Sequence, residues 1–501
     1  MLHHLHQHSN VEPFLRGAGP TWVPPDDMFR IQSYQFYEEL YWNLGDSLEI
    51  QRADESVQPI FVPVPMQIVE AVHRYLANNP LVIPDVNFGS DQQREEMRLW
   101  WISFARRERF FSKYQANKRY GIIRGDWLWH LYADPERPPG SRVSIMPLDP
   151  AGYFPITNRA NPDEVVGAFV VEVFHDDDQD EDFIRRIKYE KDGGTGGPAR
   201  ILVSDEIFEI ADWGHPDMDG DGSVVRLEWH EPYTQRPLPE EIQHLPVYHI
   251  PHFVTPNTPF GSSELRGMER LMRSVNQTIT DEELAIALEG LGLYVTDADR
   301  PRTPDGDEGN WDLGPGRVVE LEEGQTFRRV QGVTSVAPFQ THAKYLQEMM
   351  DEAKGLNETV KGSVDVSVAE SGVALRMRLE PFLDRIRELN TSPIDVHTNM
   401  LYDLRDWWRA YEGVDQDLSF LEETALVPTF EDPAPNNPHQ EFRDIIEMFK
   451  AGIIDGETAR EKLSEIGYTF PGDVDARLTR EEQRRADIIE YRMSQEEEGA
   501  Q

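Results

Sequence analysis

One stretch has residue types at the spacing of a known chemical device. Asp217, Asp219, Asp221 and Gly222 are followed by Glu228 at the twelfth position. Alternate carboxylates closed by a later Glu are how a calcium loop surrounds a hard cation with oxygen. Such a loop needs a helix on each side, whereas EIFEIADW and VVRLEWH alternate like strands. An Asp/Gly hairpin turn has the same composition, and the flanks favour it. Calcium at Asp217, Asp219, Asp221 and Glu228 therefore stays the one open metal reading, and no other cofactor is expected. His3, His4, His6 and His8 are a histidine-rich start that would bind metal only fortuitously. The chain holds no Gly-x-Ser-x-Gly elbow, no His-Glu-x-x-His helix and no Gly-x-Gly-x-x-Gly after a strand. Its KDGGTGG segment lacks the Gly-Lys-Ser/Thr end of a phosphate loop. With no catalytic residues to assign, the expectation is a protein that is not an enzyme.

Composition narrows the partners. The 501 residues suffice for two to four folding units, and cysteine is absent, which excludes disulfides, zinc-thiolate sites and cysteine nucleophiles. Acidic residues number 91 against 49 basic, a formal net charge of -42. Tight nucleic-acid binding needs a basic surface to neutralise phosphates, so that class is disfavoured. An acidic wall would let DNA pass without sticking; the simpler use of the same charge is solubility. No apolar run of about 18 residues occurs, and MLHHLHQHSN lacks the basic and apolar parts of a signal peptide. The expectation is a soluble, unsecreted protein with no membrane partner.

The pattern is α+β. Gly261 to Leu293 reads as one helical rod, roughly 48 Å long at about 1.5 Å per residue. Leu265, Met268, Met272, Val275 and Ile279 recur at alternating steps of three and four, forming an apolar face. Ser262 or Ser263 would cap its start, and Thr280 with Glu283 would restart it after a kink. Before the rod, residues 26 to 79 carry two amphipathic helices. A helical run from Gln92 to Tyr120 interleaves Arg94, Arg98, Arg106, Arg107, Arg109, Lys113, Lys118 and Arg119 with aromatics, a cluster expected to form salt bridges rather than grip nucleic acid. Residues 126 to 252 alternate as short antiparallel strands. After the rod comes a turn-rich insertion, then a helix from about Pro338 to Leu356 anchored by Tyr345, Leu346, Met349 and Met350. A polar loop follows over 357 to 372, and then a helix kinked at Pro381 and restarted by Ser392-Pro393. The C-terminal segment is helical and acidic, with Gly452 and Gly467 as C-caps.

The ordered set of parts resembles the portal proteins of tailed bacteriophages. The residues that carry the resemblance run from Leu245 to Asp297, LPVYHIPHFVTPNTPFGSSELRGMERLMRSVNQTITDEELAIALEGLGLYVTD. SGVALRMRLEPFLDRI, VPTFEDPAPNNPHQ, AGIIDGETAREKLSEIG, GDWLWHLYAD and IMPLDPAGYFPI add to it in the family's order, and together they cover most of the chain. Each segment alone is weak; their order is the specific feature.

The resemblance implies a portal fold with long stem helices, a β-rich wing, a small α/β clip and an α-helical crown, assembled into a ring with a central channel. Residues 1–261 would be wing, 262–293 the first stem helix, 294–337 the clip, 338–356 the second stem helix, 357–371 the tunnel loop, 372–430 wing again and 431–501 the crown. It implies a homo-oligomer, usually of twelve subunits, at a capsid vertex of the virion, assembled in the host cytoplasm. The major capsid and scaffold proteins would surround the ring, and double-stranded DNA would pass through without sequence-specific binding. The clip would meet the terminase large subunit during packaging and head-completion or adaptor proteins afterwards, with Asp305, Asp307, Trp311 and Arg317 as candidate contacts. Glu282, Glu283 and Glu289 on the rod, and Asp365, Val366, Ser367, Val368 and Glu370 in the loop, are the candidate tunnel lining. Leu265, Met268, Met272, Val275 and Ile279 are the candidate subunit interface. The loop departs from a phosphate-gripping device, since no Lys or Arg follows Lys361 within it. The competing readings are a capsid accessory or scaffold protein, and a calcium-binding or metal-dependent enzyme acting on a polyanion.

Overall fold

The first amphipathic segments fold as α1 (Pro25–Trp42) and α2 (Val64–Tyr75), followed by a short strand β1 (Leu81–Pro84). The basic run expected as one helix is two, α3 (Asp91–Arg107) and α4 (Phe110–Arg124). Arg109 between them lies at φ 52°, a left-handed conformation that ends one helix and redirects the next. Ser90 caps α3 reciprocally: its Oγ accepts from the Gln93 N–H at 3.3 Å, and Gln93 Oε1 accepts from the Ser90 N–H at 2.8 Å. Most of the basic cluster is paired, as expected. Arg94 meets Asp91, Arg98 meets Glu95, Arg107 and Lys113 share Glu108, and Arg119 meets Glu70. The structure, a computed structural model, describes residues 25–44, 48, 50–51, 58–78, 80–176, 181–192, 200–210, 227–231, 235–255, 258–291, 293–300, 311, 321–330, 335–361, 372–413, 419–422, 424–430 and 438–465.

The alternating middle third gives β2 (Asp126–Ala133), β3 (Val143–Leu148), β4 (Tyr153–Asn158), β5 (Asn161–Asp176), β6 (Glu181–Asp192), β7 (Arg200–Ile210), β8 (Leu227–Glu231), β9 (Arg236–Pro237) and β10 (Val247–Pro251). All their pairings are antiparallel. One sheet has the order β10-β2-β3; a larger one runs β4-β5-β6-β7-β8, with β9 on β7. Tyr153, Val170, Ile187, Tyr189, Ile201 and Val203 from the larger sheet share a core with Leu128 and Leu148 of the smaller one. Strand β2 is buried along nearly its whole length, because α4 covers it as well as the sheet partners.

The rod is α5 (Glu269–Leu291), shorter at its start than expected and continuous through Thr280. Thr280 Oγ1 donates to the Asn276 carbonyl one turn back at 2.8 Å, so the hydroxyl is used inside the helix and caps no new one. The strands β11 (Leu293–Thr296) and β12 (Phe327–Val330) pair antiparallel, and α6 (Ala337–Lys354) returns, ending at Gly355 with φ 68°. A single turn, α7 (Glu358–Lys361), precedes α8 (Gly372–Leu389) and α9 (Thr391–Glu412). Pro381 stays inside α8, and the break falls at Asn390. Then α10 (Ser419–Glu422) leads to β13 (Leu426–Thr429), which pairs with β1. The chain divides into two units, Met1–Pro433 and Ala434–Gln501. In the second, α11 (Pro438–Lys450) and α12 (Gly456–Glu465) pack Ile445, Ala459 and Leu463 together, with Gly452 at φ 70° after α11 as the expected cap. Gly467 lies outside the described residues.

Buried His397 shows how the first unit depends on pH. Trp129 can only donate, so its Nε1–H bond to His397 Nε2 at 3.0 Å fixes the neutral ring, whose Nδ1–H donates to the Pro393 carbonyl at 2.6 Å. Burial lowers the pKa of His397 to about 4, against about 6.5 when unfolded. A depressed folded pKa contributes stability above the unfolded value, and this is lost as pH falls through the folded one. Urea-unfolding midpoints are therefore expected to fall between pH 6.5 and 4, and less steeply in His397→Phe. Equal slopes in the two proteins would show that this ring is not part of the acid response.

Candidate functional site: a helical pair on a buried polar root

The helices α5 and α6 pack together and run antiparallel. Gln340, near the start of α6, donates from Nε2 to Glu282 Oε1, late in α5, at 2.8 Å. At the other end, Lys354 Nζ reaches the carbonyl oxygens of Glu264 and Arg266, just ahead of α5. The longer helix spans about 35 Å and the shorter about 27 Å. The antiparallel pair β11–β12 follows and precedes the two helices at the end remote from Lys354. Asp297 Oδ1 accepts from the Thr326 N–H at 2.6 Å there, and Trp311 sits 5.5 Å from Phe327, ring to ring.

Two sides of α5 are covered by the chain itself. Met272 and Val275 of α5 are buried, as are Leu265 and Met268 just ahead of it, and Ile279 is half-buried. A second side is polar. Asn276 Oδ1 accepts from the Val62 N–H at 2.9 Å, and Thr280 Oγ1 accepts from the Ile60 N–H at 3.0 Å. An extended segment ahead of α2 is thus strapped along the helix. Its backbone donors have no strand partner, and two side chains one turn apart replace one. Sequence reasoning missed this role for Asn276 and Thr280. Their i, i+4 spacing away from the apolar stripe was the signal, together with a proline-bracketed segment that had no pairing partner.

The root of the pair is a fully buried carboxylate. Glu264 is 0% exposed and accepts from Arg385 Nη2 at 2.5 and 2.6 Å and from His252 Nε2 at 3.0 Å, with Lys354 Nζ at 3.5 Å. Burial alone would raise its pKa. The His252 hydrogen bond and the charges of Arg385, His252 and Lys354 outweigh that and hold it at about 2. Burial lowers the pKa of Lys354, and Glu264 opposes the shift. Arg385 also donates to the Lys354 carbonyl at 2.9 Å, so α8 is tied to both ends of the node.

A second buried carboxylate holds the chain three residues ahead of Glu264. Asp126 accepts from Tyr34 Oη at 2.5 Å, His249 Nε2 at 2.7 Å and the Gly261 N–H at 2.7 Å. Here the corner between α4 and β2 touches the turn that leads to α5. A Cβ on Gly261 would stand 2.3 Å from the Gly125 carbonyl oxygen, and one on Gly125, at φ 106°, would stand 2.5 Å from the Ser262 carbonyl carbon. Only glycine permits two backbones to approach this closely. Ser263, expected to cap the helix, accepts from the Leu265 N–H at 3.0 Å in the turn ahead of α5 and donates to the Ile123 carbonyl at 2.5 Å.

The other sequence-derived candidates are scattered. Glu283 is exposed and Glu282 half-buried on Gln340; Glu289 lies in α5, its side chain outside the described residues. Trp311 is in the hairpin region, half-buried. Asp305, Asp307, Arg317, Asp365, Val366, Ser367, Val368, Glu370, Asp217, Asp219 and Asp221 lie outside the described residues, as does the side chain of Glu228 in β8. Among the described residues, no three His, Cys, Asp or Glu side chains group as metal ligands, and no helix is long and apolar enough to cross a membrane.

No protein-family model matches this chain, and no curated protein matches it. Among solved structures it is similar to a chain from the neck of a native GTA particle computed with C12 symmetry. That chain is 14% identical, covers 92% of this chain and 99% of its own length, and superposes at a TM-score of 0.40. A chain from the neck of an empty GTA particle computed with C6 symmetry gives 14%, 91%, 98% and 0.43. One from the virion of a native gene transfer agent particle gives 14%, 91%, 99% and 0.38. At these values the likeness carries no argument about role.

The root makes a direct prediction. Glu264→Ala leaves buried Lys354 and half-buried Arg385 without their counter-charge, and is expected to cost about 3 kcal/mol. Because the folded pKa of Glu264 lies below its unfolded value of about 4.5, its contribution is present above pH 4.5 and lost as pH falls through about 2. Glu264→Gln should therefore be destabilised at pH 7, and the gap to the natural protein should narrow between pH 4.5 and 2. Chemical denaturation across that range checks both statements; a gap independent of pH would show that the carboxylate charge does not hold the root.

Proposed function

We propose that this chain is a subunit of a phage-type portal, a ring at one capsid vertex through which double-stranded DNA enters and leaves. The ordered sequence resemblance supports the reading. The single structural observation that carries it is the antiparallel pair α5–α6, rooted at one end in buried charge and carrying the strand pair β11–β12 at the other. That is the form a stem with a clip would take. The pair also keeps apolar side chains in solvent: Ile286, Tyr345 and Met349 are 46, 56 and 39% exposed. Neighbouring stems in a ring would cover such surface, and a heterologous contact closes when its rotation permits.

Acidic side chains outnumber basic ones along 269–354. Lining a channel, they would keep phosphates off the wall, so DNA could slide without a deep binding minimum. The chain would be a passive conduit, with ATP hydrolysis supplied by the terminase large subunit docked on residues 294–337 and head-completion or adaptor proteins taking that place after packaging. Asp305, Asp307, Trp311 and Arg317 are the residues proposed to meet them. The loop 357–371 would face the DNA, 431–501 would form the crown, and capsid and scaffold proteins would hold the wing.

Negative-stain images of the purified chain are expected to show rings with a central hole; compact monomers at high concentration would overturn the reading. In a packaging assay, Lys at Glu282, Glu283 and Glu289 together is expected to reduce packaged DNA severalfold while rings still form. Unaltered packaging would put this face away from the channel.

A further inference from the structure

Outside the helical pair, a groove of about 570 Å³ lies between β1, the outer face of α3 and the first turn of α4. Its apolar lining includes Leu81, Ile83, Ile102 and Phe111, which are 59, 38, 40 and 44% exposed. Four large apolar side chains around one concavity form a patch of the kind that marks an interaction site, since each costs free energy in water. Arg98, Arg106 and Arg109 line the same groove. Arg98 is held by Glu95 at 2.6 Å, whereas Arg106 and Arg109 make no ion pair among the described residues. Arg109 is also the residue at φ 52°, a conformation costly for a side chain with a Cβ.

An apolar floor edged with unpaired guanidiniums suits an occupant that brings apolar side chains and carboxylates together. The chain has 91 acidic residues and a net charge of -42, so a second copy brings carboxylates in excess. Two such copies repel, and a local reversal of charge is where they can meet in a fixed orientation. Pro80 precedes β1 and Pro84 is its last residue, which limits strand addition along its edge, so the groove takes side chains rather than an added strand.

We propose that this groove is a socket between copies of the chain. An acidic, apolar surface segment of a second copy docks there, its apolar side chains on Leu81, Ile83, Ile102 and Phe111 and its carboxylates against Arg106 and Arg109. The contact is heterologous, a groove on one copy and a projection on the next, which is the type that closes into a ring. It rests on the ring reading and adds to it a contact that the stems do not make.

The test uses the full chain, followed by native mass spectrometry and sedimentation velocity over a concentration series. Arg106→Glu and Ile102→Asp are each expected to raise the concentration at which rings form at least tenfold, and Arg106→Lys to keep it within threefold. Both residues are exposed, and unchanged melting of the dilute chain confirms folding; should Ile102→Asp melt early, Arg106→Glu alone decides. Rings formed by the natural chain and by Arg106→Glu at the same concentration would overturn the socket and leave the ring reading standing. A natural chain that stays monomeric throughout would overturn the ring reading and the socket with it.

Discussion

The fold of the first unit turns on a carboxylate that water cannot reach. Glu264 sits where three lengths of chain converge: the end of β10 through His252, the end of α6 through Lys354 and the middle of α8 through Arg385. A buried charge is expensive unless it is paired and fully hydrogen-bonded, and each partner here supplies what the others leave open. No single contact would justify the arrangement. The node acts as a register pin, because shifting any of the three segments would leave a charge in the core without its counter-charge. Next to it, the close approach of Gly125 and Gly261 brings the α4–β2 corner against the turn into α5. The direction in which α5 leaves the body is set by these contacts, before any helix–helix packing contributes.

Beyond its root the helical pair divides its surfaces by chemistry. One side of α5 is apolar and covered within the chain. Another, through Asn276 and Thr280, holds an extended segment whose backbone donors would otherwise be orphaned. What remains outward among the described side chains is mixed in charge, with Asp281, Glu283, Glu348 and Glu352 beside Arg270, Arg273 and Lys344, and it is interrupted by Ile286 on α5 and by Tyr345 and Met349 on α6. A strut of about 35 Å braced in this way has a fixed attitude and a free flank. That combination, more than helix length, is what a subunit of a channel needs. A stiff wall holds its charges in place, and an uncovered apolar flank gives neighbours a surface to bury.

Much of this was legible in the chain before its structure, and the failures share one cause. The strands between 126 and 252 were readable because their alternation is local, and so was the turn-rich insertion between two helices. The rod was readable as a helix, yet its first turns were not. Ser263 and Glu264 look like a cap and a first-turn acid, but Ser263 donates to Ile123 and Glu264 accepts from Arg385, each more than a hundred residues away. Thr280 looks like a restart because a hydroxyl followed by Glu three residues later is a capping pattern. Its hydroxyl is used by the preceding turn and by Ile60. The break at Arg109 was invisible because nothing local to a basic helix announces a left-handed residue that is not glycine. Leu265, Met268, Met272 and Val275 show the same limit from another side. Periodicity identifies a face that must be buried, whereas tertiary packing decides what buries it, and here the chain itself does.

The central claim is that the outward flank of α5–α6 is covered by neighbouring copies. The absence of cysteine makes a direct measurement simple, since single-cysteine variants at Ile286 and Met349 can be labelled with a maleimide without background. The dilute, unassembled chain should label quickly at both positions. In assembled rings the account predicts labelling at least tenfold slower at both, while a cysteine in place of the exposed Ala160 in the β4–β5 turn serves as the reference for a site outside the stems. Equal rates at Ile286 and Met349 in rings and in dilute chain would contradict it.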